Sequence, residues 1–333
     1  MIQDASSFVF GLLLLTIGAE AMLRGALRIA ARLGVSSLVV GLTVVAYGTS
    51  APELAVSVQA ALAGQADVSL GNVLGSNIFN VLVILGLSSA VFPLVVNRKL
   101  LHGDVWVMLA ASVLAGLMAL DGRIGRLEGG ALLAGLVAYT LTHGLSSRRA
   151  AATVPANGAA ASDATATPSA VSGASHPAPK RSHPRLLGGA VLCVVGLALL
   201  VLGARLLLIG AVAIAKSFGV SELVIGLTIV AAGTSLPELA TSVVATVRGE
   251  RDIAIGNVVG SNIFNLLGVL GASAAIQPTG VLVSPAALRF DVPVMVVVAI
   301  ACVPIFYTSR RIDRWEGWLL LGGYVGYTAW LIA

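Results

Sequence analysis

Charge is what this 333-residue chain lacks most: Asp, Glu, Lys and Arg together make up 11% of it, and aromatic residues only 5%. No nucleotide-binding loop, HExxH or CxxC pair occurs anywhere, so primary ATP-driven transport has no machinery here. Cysteine is limited to Cys193 and Cys302, both in apolar segments, where they read as space fillers in the core. The first seven residues, MIQDASS, carry no basic residue, whereas a cleavable signal peptide normally begins with positive charge. Residues 8–33 therefore read as a permanent first span.

What the chain has in excess is apolar surface. Hydrophobic residues reach 57%, mean hydropathy is +0.97, and there are 38 glycines. A soluble domain of this length has no use for so much apolar surface, which marks an integral membrane protein. Glycine suits close helix packing in a bilayer. The net charge of +5 and pI of 9.6 look like a nucleic-acid signal, but the basic residues sit in loops between apolar runs. Membrane orientation explains them better, so the bilayer is the expected partner and nucleic acid is not.

Ten apolar segments of roughly spanning length can be counted, at about 8–30, 37–63, 69–93, 103–120, 127–145, 186–214, 222–248, 254–277, 288–307 and 314–332. Between the fifth and sixth, residues 146–185 contain no Leu, Ile, Met, Phe, Tyr or Trp and are rich in Ala, Ser, Thr and Pro. That composition cannot bury a core and predicts a disordered linker. The chain divides there into a first unit, 1–145, and a second, 186–333.

The two units repeat each other. Residues 41–86 and 226–271 align without a gap at an offset of 185, with 29 of 46 pairs identical. GTSAPELA (48–55) faces GTSLPELA (233–240), and GNVLGSNIFN (71–80) faces GNVVGSNIFN (256–265). Homologous halves of five spans each must enter the membrane in opposite directions, so the expected fold is an all-α polytopic membrane protein with ten transmembrane helices as two inverted five-helix repeats. The loops test this. Four basic residues fall on the side holding both termini and thirteen on the other, which places the termini outside and the linker in the cytoplasm.

Each copy puts an acidic residue beside a proline in apolar surroundings: Pro52-Glu53 and Pro237-Glu238. Proline cannot donate a helical hydrogen bond and clashes with the preceding turn, so each span should kink or break there. Carbonyls near Ala46 and Thr49 then become free, and Ser50 shares a face with Glu53. The next span adds Ser76 and Asn80, one turn apart. The second copy repeats the set as Ala231, Thr234, Ser235, Glu238, Ser261 and Asn265. All are oxygen donors, which suits a hard cation such as Ca²⁺ with its 6–8 oxygen ligands; softer metals want His or Cys, and no histidine lies near the repeat. Two opposed carboxylates match one divalent ion or the monovalent ions that replace it, which is the basis of an antiporter. Ser57 and Ser242 read instead as hydroxyls bonded to their own helix backbone. Asp67 and Asp252, at loop edges, read as solvated. Gly71, Gly75 and their partners read equally well as hinges or as close-packing positions.

At these residues the chain resembles the α-repeats of the cation/Ca²⁺ exchanger superfamily, with the sodium/calcium exchanger branch the most similar. The resemblance implies an eight-helix core and two long tilted helices, the first and sixth, that slide across it for alternating access. It implies Ca²⁺ binding by Glu53 and Glu238 with the carbonyls of Thr49 and Thr234. It implies Na⁺ or other counter-ion sites at Ala46, Ser50, Ser76, Ala231, Ser235 and Ser261, with Asn80 and Asn265 central. Some relatives carry an acidic residue where Asn80 or Asn265 stands here, which leaves two formal carboxylates and keeps a Ca²⁺/H⁺ or K⁺-dependent antiporter open. The expectation is a secondary Ca²⁺/Na⁺ antiporter of the inner (plasma) membrane, not an enzyme, with no cofactor and no obligate protein partner. An intramembrane hydrolase would need a Ser–His, Ser–Lys or paired-Asp arrangement that does not accompany these motifs. A cation channel is the remaining rival, because selectivity sites also use carboxylates and carbonyls.

Two charges inside apolar runs remain. Glu20 and Arg205 occupy equivalent positions in the two units. A charge inside a span needs a partner, and Glu20 has two candidates: Arg24 one turn along its own helix, or Arg205 across the helix pair.

Overall fold

A computed structural model describes residues 2–152, 186–219, 231–308 and 310–332. These form helices α1 (Ile2–Leu33), α2 (Ser37–Thr49), α3 (Ala51–Leu62), α4 (Ala66–Val91), α5 (Arg98–Asp121), α6 (Arg126–Ala152), α7 (Leu186–Ser217), α8 (Ala231–Gly233), α9 (Leu236–Val247), α10 (Arg251–Ile276), α11 (Pro285–Tyr307) and α12 (Arg314–Ile332). Six of them, α1, α4, α5, α7, α10 and α11, are long and apolar enough to cross a membrane, or seven with the bent pair α2–α3 counted as one span. The chain is therefore an all-helical membrane protein. Helix α6 runs seven residues into the segment read as a linker, and the rest of that segment, 153–185, lies outside the described residues, as does the first third of the seventh predicted span.

The 185-residue offset persists in the elements. Residues 66–79 and 251–264 are both α-helical, and both continue as π-helix, over Asn80–Leu85 and Asn265–Leu270. Two short antiparallel strand pairs, β1 (Leu94–Val95) with β4 (Arg311–Ile312) and β2 (Arg123–Ile124) with β3 (Val281–Leu282), link the first unit to the second. Helices α10 and α4 form the centre, with 94% and 78% of their most apolar stretches buried. In α1 and α7 those shares are 33% and 28%. Exposed Val9, Phe10, Leu13 and Ile17 on α1, and Val191, Val194 and Leu202 on α7, form the apolar surface that a lipid-facing helix presents.

α1 and α7 pack along each other through glycines seven residues apart, Gly11, Gly18 and Gly25 on one and Gly189, Gly196 and Gly203 on the other. Seven residues are two helical turns, so each set lines one face. The pair rests on the centre through a second apolar cluster that includes Met22, Val45, Leu200 and Ala254.

Glu20 is held from two sides. Its Oε1 accepts from Arg24 at 2.8 Å, and its Oε2 from Arg248, at the end of α9, at 3.0 Å. The local partner is therefore present, the alternative contact with Arg205 is not, and Arg205 is exposed on α7. Arg248 wins because α9 packs against α1 and ends at the depth of Glu20. The arginines are more than half exposed, so the tie contributes modestly, about 0.2–1 kcal/mol. Glu20→Arg is expected to lower the thermal midpoint of the purified protein, and Arg248→Glu, but not Arg205→Glu, to recover it. Recovery by Arg205→Glu alone would mean that the helices pair differently.

Candidate ion-binding site

The break foreseen at the proline is where the site begins. α2 and α3 meet at Ser50 with a 45° bend, and Pro52 stands in the first turn of α3, where its missing N–H costs no hydrogen bond. Ser50 (φ −84°, ψ 7°) and Ser235 (φ −88°, ψ 7°) share one backbone conformation. Glu53 and Glu238 follow, each 1% exposed. The Ala46 carbonyl is not free: it accepts from the Ser50 N–H at 3.0 Å and from the Thr49 hydroxyl at 3.3 Å. In the second copy the Ser235 N–H donates to the carbonyl of Ala232, at 3.2 Å, one residue beyond Ala231.

The two copies are crossed at the carboxylates. Ser50 Oγ donates to Glu238 Oε1 at 2.8 Å, and Ser235 Oγ donates to Glu53 Oε1 at 3.0 Å. Ser235 Oγ also lies 3.1 Å from Ser76 Oγ. Each glutamate is thus held by the serine of the other unit, which sets the two carboxylates on facing sides of one interior. Among the described residues neither has a Lys, Arg or His partner within ion-pair distance. Taking one carboxylate out of water without such a partner costs several kcal/mol, and the interior holds two.

The second oxygens complete the picture. Glu53 Oε2 and Glu238 Oε2 are buried without a hydrogen-bond donor, as are Asn80 Oδ1, Ser261 Oγ and Asn265 Oδ1. Buried acceptors are nearly always satisfied, and each one left bare costs about 1–3 kcal/mol. Ser69 Oγ, Asn77 Oδ1, Ser88 Oγ and Ser273 Oγ are bare as well, but the first five belong to the residues singled out in the doubled motifs and are of the oxygen type that a hard cation takes. Asn80 and Asn265 also begin the two π-helical stretches, and such distortions recur at functional sites.

Around this centre lies a frame the sequence reading did not include. Asn72 Nδ2 donates to the Glu53 carbonyl at 3.2 Å and to Ser57 Oγ at 2.8 Å; Asn257 Nδ2 does the same to the Glu238 carbonyl, at 3.2 Å, and to Ser242 Oγ, at 2.9 Å. The frame also crosses the units. Thr49 Oγ1 reaches Asn257 Oδ1 and Thr234 Oγ1 reaches Asn72 Oδ1, both at 3.2 Å. Asn80 Nδ2 donates to Asn262 Oδ1 at 3.0 Å. Ser57 and Ser242 therefore do not bond to their own helices: their hydroxyls donate to the carbonyls of Ser69 and Ala254 on the neighbouring helix, at 3.3 and 3.5 Å. The signal was available, because both asparagines belong to the doubled GNxxGSN run. Gly256 and Gly260 serve close packing, since a Cβ on Gly260 would lie 2.5 Å from the Leu42 carbonyl oxygen, whereas a Cβ on Gly71 or Gly75 would meet nothing within 4 Å. Asp67 is exposed, as expected, whereas Asp252 is half-buried and accepts from Asn97 at 3.3 Å.

Among the described residues no cationic side chain meets these two buried carboxylates inside the helical bundle, an arrangement that suits a membrane transporter of cations. The sequence pattern of the sodium/calcium exchanger protein family matches residues 5–145 and 188–333, and the chain belongs to that family. CaxA of Alkalimonas amylolytica is 39% identical over 327 residues, 97% of each chain. The sodium/calcium exchanger MaX1 of Methanosarcina acetivorans is 33% identical over 346 residues, 96% of this chain and 95% of its own. The solved structure of the sodium-calcium exchanger NCX_Mj, soaked with Na⁺ and Sr²⁺, superposes with a TM-score of 0.78 at 30% identity and covers 98% of both chains.

Proposed function

We propose that this protein is a secondary antiporter that exchanges Ca²⁺ for Na⁺ across the inner membrane by alternating access. The observation that carries this reading is the crossed pair: each of Glu53 and Glu238 has one oxygen held by the other unit's serine and one bare. Two full negative charges buried without a cation are costly, so the unloaded site resists passage through the membrane interior. One Ca²⁺ cancels both charges, and Na⁺ ions in the same set of oxygens do so alternately. A site that is neutral only when loaded couples the two fluxes.

In this reading Glu53, Glu238 and the Thr49 and Thr234 carbonyls hold Ca²⁺. Ser50, Ser76, Asn80, Ser235, Ser261 and Asn265 serve the counter-ion with backbone at Ala231 and at Ala46, whose carbonyl gives up the Thr49 hydroxyl to take the ion. The Asn72 and Asn257 amides position the two glutamate-bearing helices. The whole is ten spans as two inverted five-helix repeats, with both termini outside and the central segment cytoplasmic. The doubled motif, the element offset of 185 and the uneven basic residues support that topology. The names of MaX1 and NCX_Mj support Na⁺ as counter-ion.

The test is ⁴⁵Ca²⁺ uptake into proteoliposomes under imposed Na⁺, K⁺ or H⁺ gradients. An outward Na⁺ gradient is expected to drive uptake, and dissipating it to stop uptake. Uptake driven by a proton gradient with Na⁺ absent would replace Na⁺ by H⁺. Uptake indifferent to every counter-ion gradient would make the protein a channel.

A further inference from the structure

At one end of the bundle β1 and β4 pair with Leu94 opposite Ile312 and Val95 opposite Arg311. The Val96 N–H donates to the Arg310 carbonyl at 2.9 Å, and the Arg314 guanidinium to the Val91 carbonyl at 3.3 Å. This stitch gathers Arg98 and Lys99, at the start of α5, with Arg310, Arg311 and Arg314 from the far end of the chain. All five are exposed. Arg311 is taken by Asp313 at 2.6 Å, but among the described residues Arg98, Lys99 and Arg310 have no carboxylate partner.

Aromatic side chains ring this cluster. Trp106 near the start of α5, Tyr307 at the end of α11 and Trp315 at the start of α12 are 48%, 43% and 63% exposed, and Trp106 Nε1 donates to the Tyr307 hydroxyl at 3.4 Å. Amphipathic rings exposed at one level of a membrane bundle settle at the headgroup region. The cations beside them therefore lie at phosphate depth.

The equivalent end of the other pair, β2 and β3, differs. Where α5 opens with RKLLH, α11 opens with PAALR. That end instead opens a cavity of about 630 Å³, whose lining includes Asp67 and no basic residue. Loop charge alone explains an excess of basic residues on one side of the membrane. It does not explain three unpaired cations drawn together from two distant stretches of chain beside exposed indoles.

We propose that the β1–β4 end is a binding site for the phosphate of an anionic glycerophospholipid. Arg98, Lys99 and Arg310 supply the charge, and Trp106 and Trp315 flank the glycerol region. Guanidinium groups match phosphate oxygens in bidentate geometry, and the exposed aromatic ring favours a headgroup continuous with acyl chains over a free anion.

The experiment uses the purified full-length protein in native mass spectrometry with phosphatidylglycerol or phosphatidylcholine added. Phosphatidylglycerol should be retained and phosphatidylcholine not. The triple variant Arg98→Gln, Lys99→Gln, Arg310→Gln should lose that retention by about a hundredfold, since each cation near an anionic lipid contributes about fivefold. The pair Arg123→Gln, Arg126→Gln, at the opposite end, should keep it. In vesicles, brominated phosphatidylglycerol should quench tryptophan fluorescence of the parent more than brominated phosphatidylcholine does, a readout that needs no variant. Equal retention by triple variant and parent, equal loss in both variants, or equal quenching by the two lipids would overturn the proposal. Displacement of the retained lipid by excess inorganic phosphate would reassign the site to a free anion and overturn it too.

Discussion

Glu53→Gln and Glu238→Gln are each expected to abolish Ca²⁺ exchange while the protein keeps its fold. Glutamine preserves the size of the side chain and still offers a carbonyl to the serine that holds Oε1, Ser235 for Glu53 and Ser50 for Glu238. What it removes is half the charge facing the divalent ion. Losing one member of a buried charge pair costs about 2–5 kcal/mol, or roughly thirtyfold to several thousandfold in affinity. The same change relieves the mutual repulsion of two buried carboxylates. The variants are therefore expected to be at least as heat-stable as the parent without Ca²⁺, and to lose the stabilisation that Ca²⁺ confers on it. ⁴⁵Ca²⁺ flux and thermal midpoints with and without Ca²⁺ check both halves. A variant that exchanges Ca²⁺ at the parental rate would remove its carboxylate from the site.

The doubled motif makes these residues legible in the sequence itself. Glutamate next to proline in an apolar run is too costly to stand without purpose, and its recurrence 185 residues later exposed Glu53, Glu238, Ser50 and Ser235 together. The crossing was not legible. Ser50 and Glu53 stand three apart and read as sharing one face, yet across the bend at Ser50 the hydroxyl reaches Glu238. Asn72 and Asn257 carried the signal of the doubled run but no role, since the glutamate carbonyl and serine that each amide bonds lie on a neighbouring helix. The π-helical turns starting at Asn80 and Asn265 escaped for another reason: no residue preference marks an i→i+5 bond, which is set by packing. Arg248 was missed as the partner of Glu20 because it stands at the end of a different span and only the fold decides which span end reaches it.

Gly196→Ala is expected to destabilise the protein by about 1–3 kcal/mol and to reduce its exchange activity, although alanine is the better helix former. A Cβ on Gly196 would lie 2.6 Å from the Met22 backbone nitrogen and 2.8 Å from the Gly18 carbonyl oxygen. Backbone cannot swing aside as a flexible side chain can, so α1 and α7 would have to separate. The contact repeats at each heptad: a Cβ on Gly18 would meet the Leu200 nitrogen at 2.8 Å, and one on Gly203 the Leu15 nitrogen at 2.7 Å. Separation at one glycine therefore loosens its neighbours along the seam, and if α1 and α7 slide across the centre as proposed, contact over that length is expected to make them move as one body. The matched control is Gly322→Ala, within α12, where an added Cβ meets nothing within 4 Å. There the helix-propensity gain of about 0.5–1 kcal/mol stands alone, and the thermal midpoint should rise. Thermal unfolding of the two variants in the same detergent, with ⁴⁵Ca²⁺ flux in proteoliposomes, separates close packing from propensity. If Gly196→Ala were as stable and active as Gly322→Ala, α1 and α7 would not pack backbone to backbone, and their movement as a single unit would fall with that contact.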